Sequence, residues 1–236
     1  MEKEKKAKSD KTYYQVIDYI IEMVKEGKLS FQSKLPSERE LMETLGMGRN
    51  SVREALRTLE NIGLIESRHG KGNFLVNHMG ESLSSVFSVL LFTGESNYLE
   101  VSQLRRAIEI QAFAQAADLI GDEDKKKFSG IMKQIEEGDC AARVQADQDF
   151  HRLMIHCSGN HLLELLMDAL SSVCKEEIHM ILENSQEEYV EQWKTLHRRV
   201  YECLMNRDKE YGVEALLDHY RWGDSLLEKR FSKIKC

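Results

Sequence analysis

One segment of the sequence, residues 36–65, constrains the fold more than any other. Its apolar residues recur at helical spacing in two short blocks, separated by a turn that contains glycines. The first block contains Leu41 and Leu45, and the second contains Val52, Leu56 and Leu59. Two short helices around such a turn form a helix-turn-helix, which is the fold that this segment predicts.

A capping box marks the start of the first of these helices. Ser37 is followed three residues later by Glu40, so each side chain can bond the backbone amide of the other residue. Pro36 comes directly before this pair and excludes an earlier helical turn. The first helix is therefore predicted to begin just after Ser37.

Polar and cationic side chains lie off the apolar face at the front of the second helix. They are Arg49, Asn50, Ser51 and Arg53. Arginine can present two donors to guanine, and Asn and Ser can bond base edges or phosphates at a helix end whose free amides attract anions. On an isolated helix, such residues more often form a solvated face with ordinary ion pairs. The sequence that follows favours the DNA-reading interpretation.

A short β-hairpin is predicted directly after the second helix. Residues 64–65 begin one strand, residues 68–72 form a turn, and residues 73–76 return as the second strand. The turn carries Arg68, His69 and Lys71 together with two glycines, Gly70 and Gly72. Because glycine lets the backbone approach closely, this tip is suited to contact phosphates or a minor groove.

At these residues the chain resembles the GntR family of bacterial transcription regulators. The resemblance covers about the first third of the chain and rests on Tyr14, LPSEREL at 35–41, Arg49, VREAL at 52–56, the following LENIGLI, and GKGNFLV at 70–76. It implies a winged helix-turn-helix that binds a short palindrome as a two-fold dimer. It also implies that one set of residues faces DNA, namely Arg39, Arg49, Asn50, Ser51, Arg53, His69 and Gly70.

Two positions depart from the pattern of that family. Gly48 stands where a small hydroxyl residue is usual, so a side-chain cap and a phosphate contact are expected to be missing. Gln32 stands where a Pro-Gly turn usually ends in glycine, so the geometry of that loop is not fixed by the resemblance.

Charge and composition divide the chain into two domains. The 236 residues include one proline and few β-rich runs, which indicates a mostly helical protein. The net charge is −7, but residues 1–76 hold 14 Lys and Arg against 12 Asp and Glu, so they carry +2 and the remainder carries −9. An acidic second domain leaves DNA contact to the first.

Cysteine usage and hydropathy indicate the cellular setting. Five cysteines are scattered without CxxC spacing, so no disulfide framework is implied. The longest nearly apolar run, residues 86–92, is too short to cross a bilayer. We therefore expect a protein of the reducing cytoplasm with no membrane partner.

The chain in order predicts three parts: a winged helix-turn-helix domain at 1–76, a linker at 77–80 and an antiparallel all-α bundle at 81–236. Residues 1–11 are expected to be a disordered tail. A helix capped at Thr12 is expected to bury Tyr13, Val16, Ile17, Ile20 and Val24 and to end at Gly27. The bundle is expected to contain helices at 81–93, 97–120, 123–137, 140–158, 160–184, 187–206 and 208–232.

Asp147 and His151 are the first candidate metal ligands of the second domain. They lie four residues apart, so on a helix they share one face. Imidazole nitrogen with carboxylate oxygen suits zinc, nickel, manganese or iron. An Asp–His hydrogen bond or salt bridge is the commoner meaning of this spacing. Two later histidines, His197 and His219, lie beside apolar helix faces, but periodicity does not show that they converge on the first pair.

A second resemblance supplies that convergence. The segments at 104–117 and 147–160, with the later His197 and His219, resemble the FCD ligand-binding domain of the FadR-like branch of the GntR family. That resemblance implies that Asp147, His151, His197 and His219 hold one divalent metal ion. The other histidines match no ligand of the family and are expected to be structural or on the surface; they are His78, His156, His161 and His179.

Arg105 is the candidate effector-binding residue. It lies four residues before Glu109, so an intrahelical salt bridge is one interpretation. The resemblance implies instead that it holds the carboxylate of an effector, a task that a guanidinium fork suits. We favour it over its neighbour Arg106.

These features predict a ligand-responsive transcription regulator that binds DNA as a homodimer and senses a small carboxylate metabolite, such as a hydroxy acid or sugar acid, at the metal and Arg105. Two alternatives remain open from the residues. One is a regulator whose signal is the metal itself. The other is a metalloenzyme fused to a DNA-binding domain, because three histidines and an aspartate can also activate water. Against it, no base or nucleophile motif lies beside the ligands.

Overall fold

The structure is a computed structural model that describes the backbone of residues 2–183 and 187–234. Side chains are described for residues 14–175, 178 and 187–229. The chain divides into two compact units, Met1–Ser82 and Leu83–Cys236. The predicted fold class is confirmed: a helix-turn-helix with a two-stranded hairpin precedes an all-helical part. Within the described residues, every helix is too short or too polar to cross a membrane.

Ten helices and two strands are described. In the first unit they are α1 (Glu2–Lys25), α2 (Glu38–Leu45), α3 (Arg49–Asn61), β1 (Ile65–Arg68) and β2 (Gly72–Leu75). Seven helices follow, namely α4 (Met79–Thr93), α5 (Tyr98–Leu119), α6 (Asp122–Glu137), α7 (Cys140–Cys157), α8 (His161–Glu183), α9 (Glu187–Met205) and α10 (Lys209–Ile234).

The helix-turn-helix forms around one small apolar core. The predicted capping box is present, because the Ser37 amide donates to Glu40 Oε2 over 2.7 Å and the Glu40 amide donates to Ser37 Oγ over 3.3 Å. Helix α2 ends at Gly46, whose φ of 64° is the left-handed conformation that ends helices. Val52 and Leu59 of α3 are fully buried against α1 and α2, which fixes the direction in which the polar face of α3 points.

Helix α1 departs from the sequence prediction at its start and in the burial of one residue, and it ends before Gly27 as predicted, with Gly27 at a φ of 70°. It begins at Glu2, so residues 2–11 are helical and not the expected tail, and Thr12 lies inside the helix and not at its N-cap. The side chains of Thr12 and Tyr13 lie outside the described part. Val16 and Ile20 are buried as predicted. Val24 is 44 % exposed, so its predicted burial is wrong; Met23 packs against the core in the same turn.

The hairpin is tied to the segment that precedes α2. Its register pairs Ile65 with Leu75 and Arg68 with Gly72. An isolated bridge joins Lys34 to Phe74, and the Leu35 amide donates to the Asn73 carbonyl over 2.8 Å. The wing is therefore hydrogen-bonded into its domain along one edge.

The helices of the second unit confirm the predicted segments to within two residues at each end. Helix α5 packs on α7 and α10, and α7 also packs on α6 and α8, so α5 and α7 lie at the centre. Phe113, Phe128 and Phe150 are fully buried in the main core. Close packing of α10 on α5 depends on Gly212, where an added Cβ would lie 2.1 Å from the Phe113 ring.

The predicted linker is only partly extended. Residues 77–78 precede α4, but Met79 and Gly80 are its first two residues. The His78 amide donates to the Gly63 carbonyl over 2.8 Å, so this connection is bonded to the end of the helix-turn-helix. A domain boundary at residues 77–80 stays a prediction.

Candidate nucleic-acid interface and metal centre

Helices α2 and α3 present the predicted DNA-reading residues to solvent. The side chains of Arg39, Arg49 and Arg53 are 83 %, 71 % and 50 % exposed. Asn50 is exposed and Ser51 is half-buried. Helix α3 begins after Gly48 without a side-chain cap, as the sequence predicted, so its first amides have no side-chain acceptor at the N-cap.

Glu38 lies opposite two of these arginines. Its carboxylate is 3.9 Å from Arg49 Nε and 3.5 Å from Arg53 Nε. Exposed ion pairs at such distances contribute little to stability, so both guanidinium groups can leave Glu38 for a nucleic acid at small cost.

The wing carries exposed residues at its tip and one arginine that is bonded inside the domain. His69, Gly70 and Lys71 are exposed at the tip, and Gly70 has a φ of 69°. Arg68, which the sequence also placed at the tip, is bonded inside the domain. Its guanidinium lies 2.7 Å from Glu66 Oε2 and 4.3 Å from the Phe74 ring centroid.

The loop that the resemblance left unfixed has a left-handed residue. Gln32 has a φ of 69°, the region that glycine occupies without steric cost. The backbone amide of Gln32 donates to the Leu75 carbonyl over 2.7 Å, and its side-chain Oε1 accepts from Arg68 Nη2 over 3.0 Å. These bonds hold a glutamine where glycine is usual, and they link this loop to the wing.

In the helical unit, three histidines from three helices meet. Their ring centroids lie 5.5 Å apart for His151 and His197, 5.1 Å for His151 and His219, and 4.5 Å for His197 and His219. Each offers a nitrogen, and these nitrogens lie within 4.8 Å of one another. The predicted convergence of α7, α9 and α10 is therefore present in the fold.

Outer hydrogen bonds set which ring nitrogens point inward. His197 Nδ1 lies 2.9 Å from the Trp193 carbonyl, which can only accept, so this nitrogen carries the proton. His151 Nδ1 lies 2.6 Å from Glu109 Oε2, which is likewise an acceptor when ionised. When both rings are neutral, Nε2 is left with a lone pair, which is the form that ligates a metal.

The inward nitrogens form no hydrogen bond in the described part of the chain. His151 Nε2, His197 Nε2 and His219 Nδ1 are buried without hydrogen bonds. Asp147 Oδ1 lies 3.1 Å from His197 Nε2 and 3.8 Å from His151 Nε2. Buried acceptors that face one another are unfavourable unless a cation joins them. The residues therefore fit a divalent metal that His151, His197 and His219 would hold with Asp147.

The electrostatics of these groups agree with that assignment. Burial and the neighbouring His197 and His151 lower the pKa of His219 well below its usual value, so its imidazole is neutral. Burial alone would raise the pKa of Asp147, but contact with His197 and nearby charges, including Arg105, outweigh it and lower that pKa. A neutral imidazole and an ionised carboxylate are the forms that bind metals.

Sequence reasoning missed the supporting residues. Glu109 is completely buried and accepts from both His151 and Tyr220, whose hydroxyl lies 2.5 Å from Glu109 Oε1. The sequence showed Glu109 only as the residue four after Arg105, and Tyr220 only as the neighbour of His219. A buried acidic residue within an otherwise apolar helix stretch was the available signal.

A small cavity adjoins the histidines and Arg105. Its volume is about 70 Å³, and its described lining includes Arg105, Asp147, His151, His219, Trp193 and Trp222. Arg105 is buried, with Nη2 3.6 Å from Glu109 Oε1 and with Nε lacking a hydrogen bond in the described structure. The geometry of Arg105 therefore agrees with both interpretations of the sequence: it pairs with Glu109, and it also lines the cavity.

Arg106 and the remaining histidines lie away from this centre. Arg106 Nη1 is 3.1 Å from Asp224 Oδ2. His156 and His161 are exposed and lie beside opposite oxygens of Glu164, and His78 is exposed. The side chain of His179 lies outside the described residues.

A winged helix-turn-helix followed by an all-helical domain, with a cavity beside three converging histidines, is the architecture of a transcription regulator. Comparison with known proteins agrees at both domains. Residues 12–75 match the model of the gntR family of bacterial regulatory proteins, and residues 100–221 match that of the FCD domain. The chain belongs to the GntR family and carries an FCD domain; it is a transcription regulator and not an enzyme.

Relatives of the same architecture span nearly the whole chain. It is 28 % identical to the uncharacterized HTH-type transcriptional regulator YcbG of Bacillus subtilis, over 88 % of this chain and 86 % of that protein. It is 27 % identical to the HTH-type transcriptional regulator LutR of the same organism, over 89 % and 99 %. A GntR structure from Streptococcus agalactiae shares the fold, with a TM-score of 0.70 and 23 % identity over 92 % of this chain and 99 % of that one.

Proposed function

We propose that this protein is a ligand-responsive regulator that binds a palindromic operator as a homodimer and senses a small carboxylate at a divalent metal. The observation that carries the proposal is the buried group of unpaired nitrogens on His151, His197 and His219, which face Asp147 beside Arg105. Zinc, nickel, manganese and iron all suit this donor set. A cytoplasmic location is part of the proposal.

The cavity supports a small organic acid as the signal. When bound, the metal supplies positive charge and open coordination positions to an oxygen ligand. Arg105 contributes a fixed guanidinium at the same cavity and can bond the carboxylate. The cavity is small, about 70 Å³, which suits a small organic acid.

The reading residues support operator binding. Arg49, Arg53 and Asn50 are exposed at the front of α3, and His69 and Lys71 are exposed at the wing tip. They can therefore reach the major groove and the DNA backbone as the residues of a winged helix-turn-helix do. GntR regulators commonly bind operators as dimers, and a two-fold dimer requires a palindrome.

Helix α4 supports the dimer. The structure describes all fifteen of its residues, and none is buried. Val89 is 59 % exposed and Phe92 is 92 % exposed, with Val86 and Leu90 also exposed nearby. An apolar patch of this kind on a soluble domain marks an interface, and a second copy of the chain is the partner that a two-fold operator requires.

Operator titration tests the proposal against its alternative. Duplexes that the protein selects from a random pool would provide the operator, and affinity would be measured by fluorescence anisotropy with apo protein, with zinc-loaded protein, and with zinc plus lactate. An acid sensor should change its operator affinity only when lactate or a related short acid is added. A change with zinc alone would favour the metal-sensing alternative.

A further inference from the structure

The cavity lining and the side chains behind it contain buried groups whose formal charges do not cancel. Arg105 and Asp147 line the cavity, and Glu109 lies behind them in contact with His151 and Tyr220. Counted as one guanidinium and two carboxylates, they carry one positive and two negative formal charges, and all three residues are less than a tenth exposed. The facing imidazoles are counted as neutral, the form in which they ligate metals. These groups together therefore carry one excess negative charge.

Glu109 supplies the part of this charge that does not ligate the metal. It is completely buried on α5, and its two oxygens accept from His151 Nδ1 at 2.6 Å and from the Tyr220 hydroxyl at 2.5 Å. Arg105 Nη2 lies 3.6 Å from Glu109 Oε1. The carboxylate is therefore fixed by donors from three helices, α5, α7 and α10, and it has no solvent to screen its charge.

We propose that Glu109 determines the charge of the effector and makes the site selective for acids with a single negative charge. A divalent cation at the histidines changes the excess of one negative charge to an excess of one positive charge. One carboxylate then brings the buried site to neutrality, whereas a dicarboxylate leaves an uncompensated negative charge away from water, which is unfavourable. This inference rests on the proposed function, and it adds the charge class of the ligand and the residue that sets it.

Two acids of matched shape test the inference. Tartronate carries a carboxylate where 2-hydroxy-3-methylbutanoate carries an isopropyl group, so the pair differs mainly in charge. Binding to zinc-loaded protein would be followed by the fluorescence of Trp193 and Trp222, which line the cavity. Because loss of a residue that bonds a ligand typically weakens metal affinity by about 10- to 100-fold, zinc would be kept saturating and its content measured in every variant.

Glu109→Gln removes the charge and keeps groups that can bond His151 and Tyr220. We expect the wild type to bind the monoanion more tightly, and we expect the ratio of the two dissociation constants to move toward tartronate by about tenfold or more in Glu109→Gln. Glu137→Gln makes the same change of charge at a side chain that is 70 % exposed in the same unit, and it should leave the ratio unchanged.

The possible outcomes separate the two proposals. If neither these acids nor lactate bind the zinc-loaded wild type, the proposed effector function fails. If the acids bind but the wild type prefers tartronate, or the ratio in Glu109→Gln stays within about threefold of the wild type, only the role of Glu109 is overturned. If Glu109→Gln lost zinc, Glu109→Asp, which keeps the charge, would provide the test: it should keep the wild-type ratio, and a shift toward tartronate would overturn the inference.

Discussion

Glu109 Oε2 lies 2.6 Å from His151 Nδ1, although the two residues are 42 positions apart in the sequence and belong to different helices. This contact directs the free Nε2 of His151 toward Asp147, His197 and His219. It also places one buried carboxylate between a candidate metal ligand and the guanidinium of Arg105. The metal and effector parts of the proposed site are therefore joined through a single side chain.

Removing two of the imidazoles should remove the metal. We expect the double variant His197→Ala with His219→Ala to lose stoichiometric zinc in elemental analysis, because two of the four proposed ligands are gone. His161→Ala alters an exposed histidine in the same unit and should keep full zinc content. Retention of stoichiometric zinc by the double variant would refute the assignment of this centre.

Truncating a reading arginine should weaken the operator complex without unfolding the protein. Arg53→Ala, and likewise Arg49→Ala, is expected to lower operator affinity by about 1–3 kcal/mol, the usual contribution of a base contact by arginine. Anisotropy titrations at fixed salt would measure the loss. Arg221→Ala, on the exposed surface of the second unit, is the matched control and should bind as the wild type does. Unchanged affinity in both helix variants would remove α3 as the reading element.

Arg105 should contribute to binding of the acid and not to binding of DNA. Arg105→Ala is expected to weaken lactate binding to zinc-loaded protein by about tenfold or more, since a charge-assisted bidentate contact is lost. Zinc content should stay at its wild-type value, and so should the operator affinity measured without acid. Calorimetry would measure the affinity for lactate. Equal affinity in the variant and the wild type would refute the effector-binding role of Arg105 and leave only its ion pair to Glu109.

A charge on the exposed face of α4 should separate the protomers. Val89→Asp with Phe92→Asp is expected to shift the protein from dimer to monomer in sedimentation velocity, because both side chains would carry charge into an apolar interface. Leu119→Asp also adds charge at an exposed apolar residue, 63 % exposed at the end of α5, and should leave the mass unchanged. A monomeric wild type, or a dimeric double variant, would exclude α4 as the interface.

Two glycine substitutions of the same kind should have opposite effects on stability. Gly212→Ala would place a methyl group 2.1 Å from the Phe113 ring, so we expect a loss of about 1–3 kcal/mol from overpacking. Gly130 lies within α6 with open space around its Cα, so Gly130→Ala should stabilise by about 0.5–1 kcal/mol through helix propensity. Urea denaturation of both variants would measure these changes, and equal stability would contradict the close packing of α10 on α5.

Local patterns in the sequence were sufficient for the elements and insufficient for the site. Helix periodicity and capping signals placed α5 to α10 to within two residues, and Ser37 with Glu40 fixed the start of α2. Spacing of four residues put Asp147 and His151 on one face. No local pattern brings His197 and His219 to that face, because their approach depends on the packing of three helices; family resemblance supplied it.

The contact between Tyr220 and Glu109 could not be predicted from the sequence for the same reason. The two residues are 111 positions apart and meet only through the packing of α10 on α5. Two predictions for α1 were wrong. Helical spacing predicted that Val24 is buried, and composition predicted a disordered tail where residues 2–11 are helical. A polar, charge-rich segment can still extend a helix, and an apolar residue in a final turn can face solvent when its neighbour fills the core.

The hydrogen bonds that join the wing to the segment before α2 have a mechanical consequence. Bonds from Gln32 to Leu75 and Leu35 to Asn73 connect the β-hairpin to the chain leading into the reading helices, so the hairpin and those helices are displaced together. In the proposed dimer, a metabolite signal would then have little freedom to distort one half-site contact while sparing another. We expect it to act on the separation between the two DNA-binding heads, which must match the fixed helical repeat of the duplex.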